Sequence, residues 1–177
     1  MGRHGFYGAI ASVLTGAGLV LAASATPNLP CLADKGLSAI PVVVELVIAV
    51  DISYSMDPDE QALQREGCVL ALTSREFMRA LREGANGKIA ITDFEWAGEF
   101  DQKIIMPWRL IEGPEWADAI ANEIASASYR RASRTSIFGR LIFAEPLFDH
   151  SGYRGLLRVI DVSGDGTNNS GPLIDAR

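Results

Sequence analysis

Nine consecutive residues, Val42–Val50 (VVVELVIAV), are almost continuously apolar, and most are β-branched. A strand with one wet face alternates apolar and polar residues, so an unbroken run of strand length marks a strand covered on both faces. Such a strand belongs in the middle of a parallel sheet, and a parallel sheet needs helical crossovers. The downstream sequence supplies them. Asp57-Pro58-Asp59-Glu60 reads as a helix start, with Asp57 as N-cap, Pro58 in the first turn and Glu60 closing a capping box. The spacing of Leu63, Gly67, Leu70, Ser74, Phe77 and Leu81 predicts one helix to about Glu83, its small-to-apolar stripe laid on the sheet. Gly84 and Asn86-Gly87 end it.

Lys88–Phe94 and Lys103–Leu110 read as the second and third strands, joined by a connection suited to antiparallel neighbours. Pro114 opens a helix with apolar positions Trp116, Ile120 and Ile124; a basic loop, Tyr129–Ser136, leads to another helix over Ile137–Phe148. Pro146 weakens that helix's last turn. Leu156–Val162 is the fourth strand, and Ser163–Gly171 is loop. Strands alternating with helices give an α/β fold with a mainly parallel sheet.

The chain has 177 residues, enough for one domain with a core, and its 48% hydrophobic and 21% charged residues are ordinary for a globular protein. The net charge of −6 argues against a nucleic-acid partner, which calls for a basic footprint. Two cysteines, Cys31 and Cys68, are too few for a disulfide framework or a four-thiolate zinc site.

Arg3 and His4 precede the apolar run Phe6–Ala23, and Ala23-Ser24-Ala25 follows. A basic start, an apolar middle and small residues at a cleavage point are the layout of a secretory signal peptide over residues 1–25. The alternative is an uncleaved membrane anchor, since about 20 apolar residues span a bilayer. Either reading exports the domain, to the periplasm or the outside. In an oxidising compartment Cys31 and Cys68 either pair or stay as two unpaired thiols, Cys68 within a helix. Thr26–Pro41 is a polar, Pro-containing linker, and the folded domain is expected over 42–177.

The chemistry is concentrated at the end of the first strand, where Asp51-Ile52-Ser53-Tyr54-Ser55 follows directly. In open α/β sheets, ligands collect at the carboxyl ends of the central strands. A carboxylate and two hydroxyls presented there are hard oxygen donors, suited to Mg²⁺, Mn²⁺ or Ca²⁺ and not to soft metals. Thr135, before the Ile137 helix, offers another hydroxyl, and Asp165 in Gly164-Asp165-Gly166 lies at the same end of the sheet.

Asp51-x-Ser53-x-Ser55, then Thr135, then Asp165-Gly166 resembles the metal-ion-dependent adhesion site of a von Willebrand factor type A domain. The phrases DISYSMDPDE and VIDVSGDGTNN are similar to those of uncharacterised bacterial secreted proteins with that fold. The resemblance covers residues 42–177. It implies a Rossmann-like α/β/α sandwich whose sheet is parallel except for one antiparallel edge strand. It also implies a cation, Mg²⁺ or else Mn²⁺ or Ca²⁺, held directly by Ser53, Ser55 and Thr135, with Asp51 and Asp165 acting directly or through water. The open coordination position would take a carboxylate from a protein partner. Domains of this type continue past the fourth strand, so the sheet is expected to lack its last strands and to expose the Leu156–Val162 edge.

Other readings compete. Asp51 is a possible nucleophile of a metal-dependent phosphotransferase, with Asp165 as metal ligand. Such sites want a second acid two residues on, where this chain has Ser53. A calcium loop at Asp161–Asn169 lacks the spaced acids and closing Glu. Residue by residue, Asp51 and Asp165 also suit turns, Ser53 and Ser55 suit loops, and Thr135 or Ser136 suits a helix N-cap. Asp161 reads as a buried acid, the Arg130, Arg131 and Arg134 loop as solvated, and the three tryptophans as packing residues.

Overall fold

A computed structural model describes residues 38–164 and residue 170. The expected signal segment, Cys31, most of the linker and Asp165 lie outside the described residues. Four strands and four helices follow in the order β1 (Ile40–Asp51), α1 (Pro58–Leu72), α2 (Arg75–Glu83), β2 (Ile89–Trp96), β3 (Gln102–Ile111), α3 (Pro114–Ser126), α4 (Ile137–Asp149) and β4 (Tyr153–Ser163). The strands form one sheet ordered β3-β2-β1-β4. β1 pairs parallel with β2 and with β4, while β3 runs antiparallel to β2 at the edge.

Val42–Val50 is thus the inner strand that its composition requires, with Val42 to Ala49 buried throughout. Its residues alternate between two cores. Val44, Leu46 and Ile48 pack with Phe77, Leu81, Ile89, Ile91, Ile120 and Ile124 on the side of α1, α2 and α3. Val47 and Ala49 pack with Phe94, Trp96, Ala144 and Phe148 under α4. Each fully buried side chain of this size contributes about 1.5–3 kcal/mol of burial free energy. β4 is the other edge of the described sheet, and its Leu156 and Leu157 are exposed.

Two local expectations are corrected. The helix after Asp57 is two helices, because Ser74 caps a new one by accepting from the Phe77 amide. A capping serine three residues before Phe77 sits inside the apolar spacing and is invisible to it. Within α1 the buried residues are Gln61, Gln64 and Leu72, while Leu63 and Leu70 face solvent. The glutamines turn inward because the sheet beneath them is polar: Asp93 and Glu95 of β2 share the α1 side with Ile89 and Ile91, and Gln64 Nε2 donates to Ser163 Oγ. Trp96 is buried as expected, but Trp116 is half exposed and α3 packs instead through Ala117, Ile120, Ala121 and Ile124. The Asp57 capping box forms as read: its carboxylate accepts from Asp59 and Glu60 amides, and Glu60 accepts from the Asp57 amide. α4 runs through Pro146 to Asp149.

A buried acid on the central strand is answered within the fold. Glu45 accepts from Ser151 Oγ at 2.9 Å and from the Gly155 amide at 2.7 Å, which ties the start of β4 to β1.

Candidate metal centre

The β1–β2 and β1–β4 registers bring Asp51 level with Trp96 and Val50 level with Ser163, so three strand ends meet at one rim. Asp51, the last residue of β1, is fully buried. Its Oδ1 accepts from the Ser53 amide at 2.7 Å, which folds Asp51–Ser53 into an Asx-type turn. That turn aims both serines the same way: Ser53 Oγ and Ser55 Oγ lie 2.6 Å apart and share a hydrogen bond. Ser53 is buried and Ser55 exposed, so the pair runs from the interior to the surface.

The Tyr129–Ser136 loop is laid alongside. Ser53 and Ala132 form an isolated parallel bridge, with the Ala132 amide donating to the Ile52 carbonyl at 2.9 Å. Thr135 is buried at the end of this loop. The α4 N-cap is Ser136, whose Oγ accepts from the Gly139 amide, so Thr135 is not the capping residue. On the far side, the backbone at Gly164 abuts the Asp51 carboxylate so closely that a Cβ there would stand 2.6 Å from Oδ2. The Ser170 amide donates to the Thr135 carbonyl at 3.1 Å. Residues 164 and 170, which flank the segment containing Asp165, therefore touch Asp51 and Thr135 respectively.

The basic loop is solvated only in part: Arg131 and Arg134 are exposed as expected, while Arg130 and Arg131 are also bonded into the structure. Arg130 pairs with Asp101 at 2.8 Å and Glu95 at 3.4 Å, and the Asp101 hydrogen bond holds its guanidinium above its ordinary value. Arg131, although exposed, donates to the Met56 carbonyl at 2.7 Å and the Tyr54 carbonyl at 3.3 Å, and it faces the Tyr54 ring. One arginine anchors the loop to β2 and the β2–β3 connection, and the other straps it to the serine turn. Arg134 takes a left-handed backbone conformation just before Thr135.

Arg140 carries no signal in the sequence beyond its place in the first turn of α4. Its guanidinium lies 4.3 Å from the Trp96 ring centroid, and burial pulls its pKa down while the Asp51 charge pulls it up. A cation of the protein's own therefore stands within electrostatic reach of Asp51. Asp161 is half-buried on the α1 side of β4, and burial raises its pKa. Among the described residues Cys68 has no disulfide partner, and burial pushes its thiol up to about 12, with the Asp93 and Asp161 charges adding to it, which disfavours the nucleophilic thiolate.

The donors present suit a hard cation. Adjacent ligands in an octahedral Mg²⁺ shell stand about 3 Å apart. The two serine oxygens at 2.6 Å need only open slightly to serve as such a pair. No group of three or more His, Cys, Asp or Glu side chains able to hold a metal occurs among the described residues.

A sheet with β1 between two parallel neighbours and β3 antiparallel at the edge beside β2, flanked by four helices, is an α/β fold like that of von Willebrand factor type A domains. Solved structures agree on the fold. Proximal thread matrix protein 1 from the mussel byssus matches at TM-score 0.55 and 19% identity in one crystal form. The same protein with a zinc-occupied MIDAS motif matches at 0.55 and 20%. In each case 76% of this chain is covered, and it spans only 34% of the mussel protein. Residues 41–177 match the family model of the proteins of unknown function DUF1194, and the chain belongs to that family. Comparison with curated proteins gives no match.

Proposed function

We propose that this is a divalent-cation-dependent protein-binding domain, with the cation held by Asp51, Ser53, Ser55, Thr135 and Asp165. The observation that carries the reading is the serine pair at 2.6 Å on a turn pinned to a fully buried Asp51. The mussel relative in fold, described with zinc in its MIDAS motif, supports a divalent metal at such a site. Mg²⁺ is the proposed ion, because neutral hydroxyls dominate the donors and Mg²⁺ keeps exchangeable waters. Hydroxyl donors leave the cation's charge poorly compensated, so it attracts an anion, and the partner is a protein offering an Asp or Glu side chain. We further propose that the domain works outside the cytoplasm, carried there by residues 1–25. The evidence for that is the signal layout of the sequence. Among the described residues no helix is long and apolar enough to cross a membrane.

Binding is favoured over catalysis on geometry. A phosphotransferase nucleophile must meet its substrate, whereas Asp51 is fully buried, hydrogen-bonded to Ser53 and covered by Gly164. Calorimetry with Mg²⁺ tests the assignment. Asp51→Ala abolishes the binding heat while the circular dichroism spectrum is retained; unchanged binding in that variant would refute it. Steady turnover of a generic aryl phosphate would favour the enzyme instead.

A further inference from the structure

Under α1, on the interior side of the Asp51 turn, lies a cavity of about 30 Å³, bounded by Gln61, Gln64, Asp93, Glu95, Arg65 and Arg130 among others. Three of these side chains are more than nine-tenths buried, and each presents an atom with no hydrogen bond to the protein: Asp93 Oδ1, Gln64 Oε1 and Gln61 Nε2. The orientation of the Gln64 amide follows from its partner. Ser163 Oγ donates to the Ala49 carbonyl, so it must accept from Gln64 Nε2, and Oε1 is the atom left for the cavity. The unanswered set is thus two acceptors and one donor. Water offers two protons and two lone pairs, and one molecule can answer all three. A cation can answer only the acceptors, and it would meet the Gln61 N–H and the charges of Arg65 and Arg130. The volume admits about two waters, at roughly 10–15 Å³ each.

We propose that this cavity is a buried hydration site holding about two waters, one of them bridging Asp93, Gln61 and Gln64 and so fastening α1 to β2. Asp93 supports this from another direction. Burial, with the Glu95 charge adding, pushes its carboxyl up to about 7, so it alternates between acceptor and donor near neutrality, and water adapts to both. Arg65 does not neutralise it outright, being bonded to the Ala127 carbonyl and stacked on Tyr129. Asp51 also borders the cavity, but the three atoms the water would bridge belong to other residues.

A crystal structure of the wild-type domain near 1.5 Å, with rubidium- and manganese-soaked crystals beside it, tests the proposal. The expected result is a peak about 2.7–3.2 Å from all three atoms with no anomalous signal in either soak. Anomalous density in the cavity would replace water with a cation, and a dry cavity or direct pairing of the three groups would overturn the proposal outright. In solution, oxygen-17 relaxation dispersion of the wild type should count long-lived internal water, and Gln64→Leu should lower that count. An equal count in a folded Gln64→Leu would contradict the assignment, and the wild-type measurement stands whether or not that variant folds.

Discussion

β1 carries two buried acids, Glu45 in mid-strand and Asp51 at its carboxyl end, in different surroundings. In mid-strand Glu45 is closed off by Ser151 Oγ and the Gly155 amide, and nothing is left for a ligand. At the upper end the side chains around Asp51 are polar, and Asp93 on the neighbouring strand keeps a buried oxygen that no protein group answers. Burial alone does not distinguish a structural acid from a site. What distinguishes them is whether the fold supplies donors. A carboxylate with two donors is a clip between strands, and polar groups left facing a cavity or a rim are where water, ions or partners enter.

Removing the clip should have the largest effect. Glu45→Ala leaves the Gly155 amide buried without its acceptor and leaves the Ser151 hydroxyl only its longer bond to the Tyr153 carbonyl, and a loss of about 3 kcal/mol in urea denaturation is expected, given the usual cost of stranded buried donors. Loss below about 0.5 kcal/mol would erase the contrast between the two regions of β1.

Asp93 should behave in the reverse sense. Its folded-state carboxyl takes up a proton at about 7, whereas an unfolded Asp does so near 3.8. Between those values the folded state holds more protons, so stability is full below about pH 4 and falls as pH rises through 7. Asp93→Asn removes that slope and should be more stable than wild type at pH 8 by about 2 kcal/mol, roughly half of what the full shift would give. Parallel pH profiles of wild type and variant would contradict the reading of Asp93.

Two smaller effects sharpen the upper end. Arg131→Met frees the serine turn from its strap and should weaken Mg²⁺ binding several-fold, with melting temperature nearly unchanged. Arg140→Met removes a positive charge that acts on Asp51 and should tighten Mg²⁺ binding two- to five-fold at low salt, the gain shrinking as salt is raised. Calorimetry at two ionic strengths reads both.

Much of this was legible from residue order. An apolar run ended by D-x-S-x-S marks both the inner strand and the turn at its carboxyl end, and Asp57-Pro58 with Glu60 marks the helix start to the residue. The layer under α1 was not. Apolar periodicity counts Leu63 and Leu70 as inward and Gln61 and Gln64 as outward, and only the polar residues of β2 and β4, distant in sequence, reverse that choice. The same reason hid the arginines: a basic loop looks solvated until Asp101, Glu95 and the carbonyls of the serine turn are seen to receive it. Trp116 shows the limit of a four-residue spacing, since the smaller Ala117 and Ala121 are what fit against the core.

The central claim is that hydroxyls at the rim of β1 hold a cation. The most direct measurement is a Mn²⁺ titration followed by the six-line resonance of the free ion. One site per chain is predicted, displaced by Mg²⁺ and lost when Ser53 and Ser55 are both changed to Ala in a domain that keeps its fold. A site that survives the double change, or no site in the wild type, would contradict it.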